Sequence, residues 1–467
     1  MTIIETPAAA APGTDALYRA LNGSVARIHL PGSPEYAELT ATMHVIDVKR
    51  PALVVEARSA QDVVRTVRVA RAHGARVTVQ STGHSGPSDD MADAVLVATR
   101  GLDELTIDPA ARTARVGAGV RWGAVNEAAA PHGLGSLCGS APSVGVVGYL
   151  TGGGVGPLVR SHGLSSDRVL AFEVVTGDGE LRRASDTENP DLFWGLRGGK
   201  GALGIVTAVE IELIDQREIY GGSLWFDEPD VPAALRTWAV WSELLPDEGT
   251  TSFAIMRMPV MEGVPPFLAG KTTLHVRFAW TGDPAVGEEM IRALRAVAAP
   301  LVDTVAVMPY SRIGEIHADP DEPMPAHTNH VLLERFGAPG AELLLGLAGP
   351  GTPTMQNVVE IRRVGGAMRD ALHGPSAFAW REAEYMVFTA GVLVPEIADP
   401  LLADARRLLA GLAPITAEGA YPNFAWGHGP EWVERVYPGD VALRLRRISE
   451  HYDPAGVIDQ SRAFRAL

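Results

Sequence analysis

The chain contains a single cysteine, Cys138, among its 467 residues. One thiol can form neither an internal disulfide nor a dithiol redox pair. Long apolar runs are also missing, and without about 18 consecutive apolar residues no membrane-spanning helix is predicted. The first 20 residues have no basic segment followed by an apolar core, so no secretory leader is predicted. We therefore expect a cytoplasmic protein.

Basic residues are in deficit, since 40 Lys and Arg stand against 56 Asp and Glu, which gives a formal charge of −16. Such a chain lacks the basic face that binds nucleic acid or an anionic membrane surface. The G-x-S-x-G motif is absent, so the nucleophile of an α/β-hydrolase is not indicated. The H-E-x-x-H and C-x-x-C motifs of zinc sites are absent too. His327 and His330 lie three apart without further ligand residues, so no metal site is predicted. We expect a small-molecule partner and a monomer or homodimer.

One glycine motif resembles a dinucleotide fingerprint but stands in the wrong place. The segment "GKGALG" (199–204) matches G-x-G-x-x-G. That fingerprint requires a preceding strand and a following helix, so that the helix N-terminus faces the pyrophosphate. Here a predicted strand (204–214) follows the glycines, which argues against a Rossmann domain.

Two loops rich in glycine and serine are the main features of the sequence. The first, "STGHSG" (81–86), follows a predicted β-α-β unit formed by 51–57, 59–74 and 76–80, whose helix Ser59 is expected to cap. The second lies at 138–154, within the longer stretch from Gly133 to Gly156 that contains nine glycines. Glycine allows close backbone approach and successive N–H groups can bind an anion, so these loops predict a phosphate-bearing cofactor. The alternative is that both are simple turns.

Each glycine loop carries one nucleophilic side chain. His84 lies in the first loop and Cys138 in the second, where glycine and serine neighbours predict an exposed, flexible backbone. A ligand common to both side chains is plausible, although each residue taken alone has an ordinary interpretation, as a loop histidine or a small hydrophobe.

The motifs together resemble a known family. "VTVQSTGHS", "CGSAPSVGVVGYLTGGGVG", "VVTGDG" and "LFWGLRGGKGALGIVTAVEIEL" are similar to the FAD-linked oxidases of the vanillyl-alcohol oxidase / p-cresol methylhydroxylase superfamily. With "YPNF" near the C-terminus, they resemble its berberine-bridge-enzyme-like branch most. The resemblance is strong over 50–214, moderate over 421–460 and weak between them.

This resemblance implies an α+β fold. A PCMH-type FAD-binding domain of two α/β subdomains would comprise residues 1–214 and 416–467. Residues 215–415 would form a substrate-binding domain, with an antiparallel sheet backed by helices that covers the flavin.

The resemblance also implies the cofactor contacts. FAD would be bound covalently, through its 8α-methyl group to His84 and through C6 to Cys138. Val206 would lie near the isoalloxazine and Asn423 at its polar edge. Asp167 and His162 match a further element and are expected to be structural. The remaining expected contacts come from the two loops: Ser81, Thr82, Gly83 and Ser85 in the first, and Gly145, Gly148 and Gly152 in the second.

The catalytic base departs from the pattern of sugar-oxidising relatives. Their Y-x-N-Y-x-D motif is here Tyr421-Pro-Asn423-Phe424-Ala-Trp426, so neither a second tyrosine nor the acid is present. A strand predicted over 377–388 would place Glu384 and Tyr385 on opposite faces. Tyr385 is the first candidate for the base, and Tyr149 and Tyr421 are the reserves.

The implied reaction is oxidation of a bulky small molecule, such as a natural product of secondary metabolism, with hydride transfer to flavin N5 and O2 as acceptor. Alcohol oxidation, ring formation and desaturation all stay open. A non-catalytic flavoprotein that sequesters a small molecule, and a dehydrogenase with another acceptor, would carry the same loops.

Overall fold

The computed structural model describes residues 13–46, 48–85, 91–427 and 429–467. Gly86, the last residue of the first glycine loop, and residues 1–12 of the chain lie outside these ranges. Within them, no helix is both long enough and apolar enough to cross a bilayer.

The first half of the chain builds two sheets of different kinds. β2, β4 and β3 run parallel with β1 at the edge, whereas β5-β6-β10-β8-β9 is an antiparallel sheet, and β7 pairs with β11. These are the two α/β subdomains that the family resemblance implies. The strands are β1 (Arg27–His29), β2 (Leu53–Glu56), β3 (Arg76–Gln80), β4 (Ala94–Ala98), β5 (Leu105–Asp108), β6 (Thr113–Gly117), β7 (Leu134–Gly135), β8 (Val169–Val175), β9 (Leu181–Ser185), β10 (Ile205–Glu212) and β11 (Ile214–Asp215).

The second half contributes one large antiparallel sheet of eight strands, in the order β15-β12-β14-β13-β18-β19-β17 with β16 also paired to β12. The predicted α+β class and antiparallel sheet are confirmed. The strand predicted over 377–388 begins only at Tyr385. The strands are β12 (Glu218–Phe226), β13 (Gly249–Arg257), β14 (Thr272–Trp280), β15 (Val302–Asp303), β16 (Ala306–Pro309), β17 (Ala326–Leu333), β18 (Val358–Arg363) and β19 (Tyr385–Val392).

The helices cover one face of the large sheet. The opposite face, which carries His275, Arg277 and Phe388, is called the open face. Apolar residues of α8, α9, α10 and α11 pack with that sheet in one core, whereas α12, α13 and α14 pack with the core of the first half. The helices are α1 (Thr14–Leu21), α2 (Pro34–Thr40), α3 (Ala60–Ala72), α4 (Trp122–Ala129), α5 (Val146–Leu150), α6 (Val159–His162), α7 (Pro190–Leu196), α8 (Val231–Leu244), α9 (Pro284–Arg295), α10 (Gly337–Ala348), α11 (Ala398–Leu412), α12 (Gly429–Val436), α13 (Gly439–Tyr452) and α14 (Ser461–Arg465).

The β2-α3-β3 unit forms as the sequence predicts. Ser59 Oγ accepts a hydrogen bond from the backbone N–H of Asp62, which satisfies a donor that the first turn of α3 leaves free. Val63, Val64 and Val67 on its apolar stripe are buried against the first sheet. Because β3 ends at Gln80, the first glycine loop begins at the end of a buried strand.

A buried ion pair joins the two halves of the chain. The guanidinium of Arg381 contacts both carboxylate oxygens of Asp167, at 2.7 and 2.8 Å. Asp167 follows α6 in the first half and is 1% exposed, whereas Arg381 precedes β19 of the large sheet. This pair therefore links the first half of the chain to the segment that leads into β19.

Candidate functional site

A cavity of about 2290 Å³ lies between the glycine loops and the open face of the large sheet. Sites for single small ligands are usually about 300–1000 Å³, so this space can hold a large cofactor and a second molecule together. The predicted site residues that line it are Ser81, Thr82, Gly83, His84, Ser85, Gly145, Gly148, Tyr149, Val206, Tyr421 and Asn423. Gly152, Cys138 and Tyr385 do not line it.

The first glycine loop exposes its backbone to the cavity. Gly83 has φ +74°, and a Cβ at that position would lie 2.9 Å from the carbonyl oxygen of Ala41. The hydroxyl of Ser81 donates to the Ala118 carbonyl at 2.8 Å, and Thr82 Oγ1 accepts from the Gly145 N–H at 3.2 Å. These hydroxyls therefore fix the loops, while none of the backbone N–H groups of 81–85 donates to another described residue.

Two histidines meet on this side of the cavity. Burial, followed by the positive charge of Arg121, lowers the pKa of His84 to about 4. Burial, followed by His84, lowers the pKa of His44 to about 4. The ring of His44 packs edge-on against Trp426, with 4.0 Å between centroids. The His84 imidazole is therefore neutral at neutral pH and keeps a nitrogen lone pair.

Asn423 connects the second glycine loop to the C-terminal segment. Its Nδ2 donates to the Tyr149 carbonyl at 2.9 Å and to the Tyr421 hydroxyl at 2.8 Å, and its Oδ1 accepts from Lys200. Burial lowers the pKa of Lys200 to about 8. A Cβ on Gly152 would lie 2.1 Å from Asn423 Oδ1. Gly152 thus makes room for Asn423 and does not face the cavity, contrary to its predicted place among the cofactor contacts.

Cys138 is not the exposed loop thiol that its neighbours in the sequence suggest. It is 5% exposed and packs in the core of the first half. Asn126 Nδ2 donates to its Sγ at 3.3 Å, and burial raises the pKa of the thiol to about 11. A protonated thiol that points into the core is a poor nucleophile, which does not favour a bond from Cys138 to a ligand in the cavity.

Tyr421 lines the cavity and is almost completely buried. It accepts hydrogen bonds from the Val155 N–H at 2.9 Å and from Asn423. Burial raises its pKa, and burial also raises that of the neighbouring Tyr149. Both phenols are therefore protonated at neutral pH. With two donors already bound to its oxygen, Tyr421 can still donate its own proton.

Tyr385, the first candidate for the base, lies on the other face of the large sheet. It is 3% exposed and packs against Trp238 and Phe336 in the core between sheet and helices. The alternation of β19 instead turns Phe388 toward the cavity. The structure thus brings Tyr149 and Tyr421 together and separates Tyr385 from them.

A polar group on the open face of the large sheet escaped the sequence analysis. Arg277 on β14 and Arg362 on β18 both donate to Glu360, at 2.6 and 3.0 Å, and all three line the cavity. His275 and His317 lie beside them. The sequence signal was present as alternation, since "VVEIRR" and "TTLHVRF" place polar residues at every second position of apolar strands. Among the described residues, no group of three or more His, Cys, Asp or Glu could hold a metal.

His330, one of the two histidines that lie three apart, is a buried structural residue next to Tyr421. Its Nε2 accepts from the Tyr421 N–H at 2.9 Å, so its Nδ1 carries the proton that bonds the Val387 carbonyl at 2.7 Å. Burial lowers its pKa to about 3. Protonation would destroy the bond from Tyr421.

We expect His330→Met to reduce the dependence of stability on pH. Between the unfolded pKa of about 6.5 and the folded value of about 3, the unfolded state binds up to one more proton at this residue, so stability falls as the pH falls. The variant should be less stable at pH 7, because a buried N–H and carbonyl lose their partner, at about 1–3 kcal/mol for each group. Its stability should then decline less steeply from pH 6.5 to 4.

Urea unfolding at pH 7, 6, 5 and 4 measures both effects. His132→Met, at an exposed position, is the matched control and should keep the wild-type slope. Parallel slopes for wild type and His330→Met would contradict the assignment.

Comparison with known proteins agrees with this geometry. Residues 51–185 match the family described as FAD binding domain. The chain is 29% identical over 430 residues to the (R)-6-hydroxynicotine oxidase of Paenarthrobacter nicotinovorans, covering 87% of this chain and 89% of that protein.

Solved structures share the fold. BBE-like 1 of Physcomitrella patens has a TM-score of 0.81 at 20% identity, covering 96% of this chain and 98% of that one. Berberine bridge enzyme from Eschscholzia californica has a TM-score of 0.80 at 18% identity, with 97% and 99% covered.

Proposed function

Because the chain belongs to the FAD-linked oxidoreductases of the vanillyl-alcohol oxidase / p-cresol methylhydroxylase superfamily, in the berberine-bridge-enzyme-like branch, we propose that it is an oxidase of a bulky small molecule. The main support for this proposal is that the two glycine loops and the open face of the large sheet line one continuous cavity. One side suits a cofactor and the other a substrate.

The residues on the loop side fit FAD. The N–H groups of 81–85, free of partners among the described residues, suit a pyrophosphate, since successive amides bind anions. Gly148 lines the cavity, and a Cβ there would meet nothing within 4 Å. When bound, FAD would accept a hydride from the substrate at N5 and pass the electrons to O2.

We propose one covalent link, from His84 to the 8α-methyl group, instead of the two that the resemblance implies. Forming it would break one C–H bond of the methyl group, release the imidazole N–H proton and leave the flavin reduced by two electrons, which O2 would then accept. His84 lines the cavity and carries a neutral imidazole. Cys138 is buried behind the loop, protonated and bonded to Asn126. The link at Cys138 is therefore left out of the proposal.

Tyr421 is proposed to act as a hydrogen-bond donor in the cavity. Its oxygen already accepts from Val155 and Asn423, and its raised pKa keeps the phenol protonated at neutral pH, so it is not available as a base. Its proton can orient a hydroxyl, amine or carbonyl of the substrate. Tyr149, whose carbonyl accepts from Asn423, supports the same wall.

The test is a screen of the purified protein by flavin bleaching under anaerobic conditions, followed by H2O2 measurement in air. An oxidase is bleached by at least one compound of the screen and, in air, forms one H2O2 for each molecule of that compound that it oxidises. Bleaching without H2O2 would indicate a dehydrogenase, and binding without bleaching a sequestering protein.

Tyr421→Phe should keep the flavin and slow bleaching by about tenfold to a hundredfold, as for loss of a catalytic hydrogen bond. Tyr437→Phe is its matched control, because that buried hydroxyl donates to the Gly198 carbonyl outside the cavity. Equal bleaching rates for Tyr421→Phe and wild type would contradict this role.

A cytoplasmic location, a natural-product substrate and a monomeric or homodimeric state stay predictions.

A further inference from the structure

Two arginines on the open face of the large sheet share one carboxylate. Arg277 and Arg362 occupy the same row, because both pair with Ser252 of the strand between them, so their backbones lie about 10 Å apart. Arg277 Nη1 donates to Glu360 Oε1 and Arg362 Nη2 donates to Oε2. Since Arg stays charged in proteins, the three groups carry a net charge of +1.

Each guanidinium keeps unused donors. Within the described part of the chain, Arg277 Nη2 and Arg362 Nη1 form no hydrogen bond, although both side chains line the cavity. A guanidinium offers five N–H donors in a planar fork that suits a carboxylate. The Arg pair can therefore hold a second carboxylate besides Glu360.

His275 gives an independent indication of a ligand. It is 1% exposed and lines the cavity, and neither ring nitrogen has a partner in the described part of the chain. Its ring stacks on Trp225 at 3.8 Å between centroids, which fixes its orientation. His317 beside it leaves Nδ1 without a partner. Burying a polar group without a hydrogen-bond partner is unfavourable, so these groups are expected to be matched by a ligand or ordered water.

Asp319 is the other acid near these groups. It lowers the local positive potential, since it acts on both Arg277 and Arg362. It forms no hydrogen bond with either and is partly exposed. It therefore leaves the unused N–H donors available.

The cavity becomes apolar away from the arginines. Met256 lies on the same face two rows further along the sheet, and Met258, Phe267 and Leu268 continue the lining from the following loop. An occupant that matched both ends would have an anionic group at the arginines and an apolar body beyond.

We propose that this face binds a carboxylate on an otherwise apolar substrate, through Arg277 and Arg362 with His275 as a further hydrogen-bonding partner. The proposal rests on the proposed function, whose substrate class it narrows to carboxylic acids. It places the acid group on the Tyr421 side of the cavity, since the Arg362 guanidinium lies 5.1 Å from the centroid of the Phe424 ring, and that ring packs edge-on against Tyr421.

The experiment compares carboxylates with uncharged analogues of the same shape in the flavin-loaded protein. Benzoate against benzamide, and 4-phenylbutyrate against 4-phenylbutanamide, are titrated by calorimetry and by the flavin absorption spectrum. The carboxylate of at least one pair should bind about tenfold more tightly, a typical effect of a charge-assisted hydrogen bond. Equal dissociation constants in both pairs would overturn the proposal.

Variants separate recognition from a structural role by the sign of their effects. Arg277→Gln and Arg362→Gln should bring the carboxylate-to-amide ratio close to one. Glu360→Gln and Asp319→Asn should increase it, because each removes a competing negative charge. If Glu360→Gln weakens carboxylate binding as the arginine variants do, the group is structural and the proposal is wrong.

Arg363→Gln is the matched control. Arg363 is next to Arg362 on β18, but it lies on the opposite face of the sheet with Tyr385 and its guanidinium donates to the Ser242 carbonyl, so the ratio should stay at the wild-type value. If the arginine variants fail to fold, the comparison of carboxylate with amide binding in the wild type, and the effect of Glu360→Gln on it, still test the proposal. Failure of the proposed oxidase function would give a different result, namely a protein that lacks flavin or whose flavin is not bleached by any substrate. Calorimetry would still report whether the protein prefers the carboxylate.

Discussion

Replacing His84 by alanine is expected to release all of the flavin when the protein is denatured with acid. In the wild type the flavin should stay with the precipitated chain, and the intact mass should exceed that of the polypeptide by one FAD. The reason is that His84 lines the cavity with a neutral imidazole, its pKa lowered to about 4 by burial and Arg121. The variant should still bind FAD before denaturation, because the backbone N–H groups of the first loop are unchanged.

Cys138→Ala is the matched control, since it removes the other nucleophile of the glycine loops. We expect it to keep acid-stable flavin and the wild-type absorption spectrum, because the thiol faces Asn126 in the core. Acid-stable flavin in His84→Ala that disappears in the double variant would instead show a bond to Cys138. Flavin released by acid from the wild type would end the covalent hypothesis altogether.

Arg381→Met is expected to destabilise the protein strongly. It leaves the Asp167 carboxylate, 1% exposed, without the guanidinium that contacts both of its oxygens. Removing one partner of a buried ion pair typically costs about 3–5 kcal/mol, because the remaining buried charge loses its hydrogen-bonded counter-charge and is not exposed to water. The midpoint of urea unfolding at pH 7 should fall accordingly.

A second variant separates the buried charge from the loss of packing. Arg381→Met combined with Asp167→Leu should recover much of the stability, since replacing both members of a buried pair by apolar residues is often nearly neutral. Arg236→Met, in the exposed pair with Glu342, should leave the midpoint unchanged. A midpoint of Arg381→Met equal to that of Arg236→Met would contradict the role of Asp167 and Arg381 in joining the two halves.

The open face of the large sheet shows how register creates a site. Arg277 and Glu360 are 83 residues apart, and each alone is an ordinary charged residue in a strand. Alternation predicts that Glu360 and Arg362 share a face, but not which strand lies beside them. Only the pairing of β14, β13 and β18 brings the three side chains together.

The tyrosine candidates show the same limit. Alternation places Tyr385 and Phe388 on opposite faces of β19, and local sequence cannot tell which face meets the helices. Packing of Tyr385 with Trp238 of α8 turns Phe388 to the cavity. Tyr421 reaches the cavity because Asn423 and His330 hold it there, and His330 is 91 residues away along the chain.

The sequence by itself determined the features that depend on local interactions. The helix cap at Ser59, the β2-α3-β3 unit and the first glycine loop after β3 all follow from neighbouring residues, and so does the place of His84 in that loop. Tertiary structure decided what each side chain of the second loop faces. Cys138 points into the core toward Asn126, and Asn423 occupies the space that a side chain at Gly152 would need. The physical reason is that a glycine-rich backbone permits many conformations, and contacts with residues distant in the sequence select one of them.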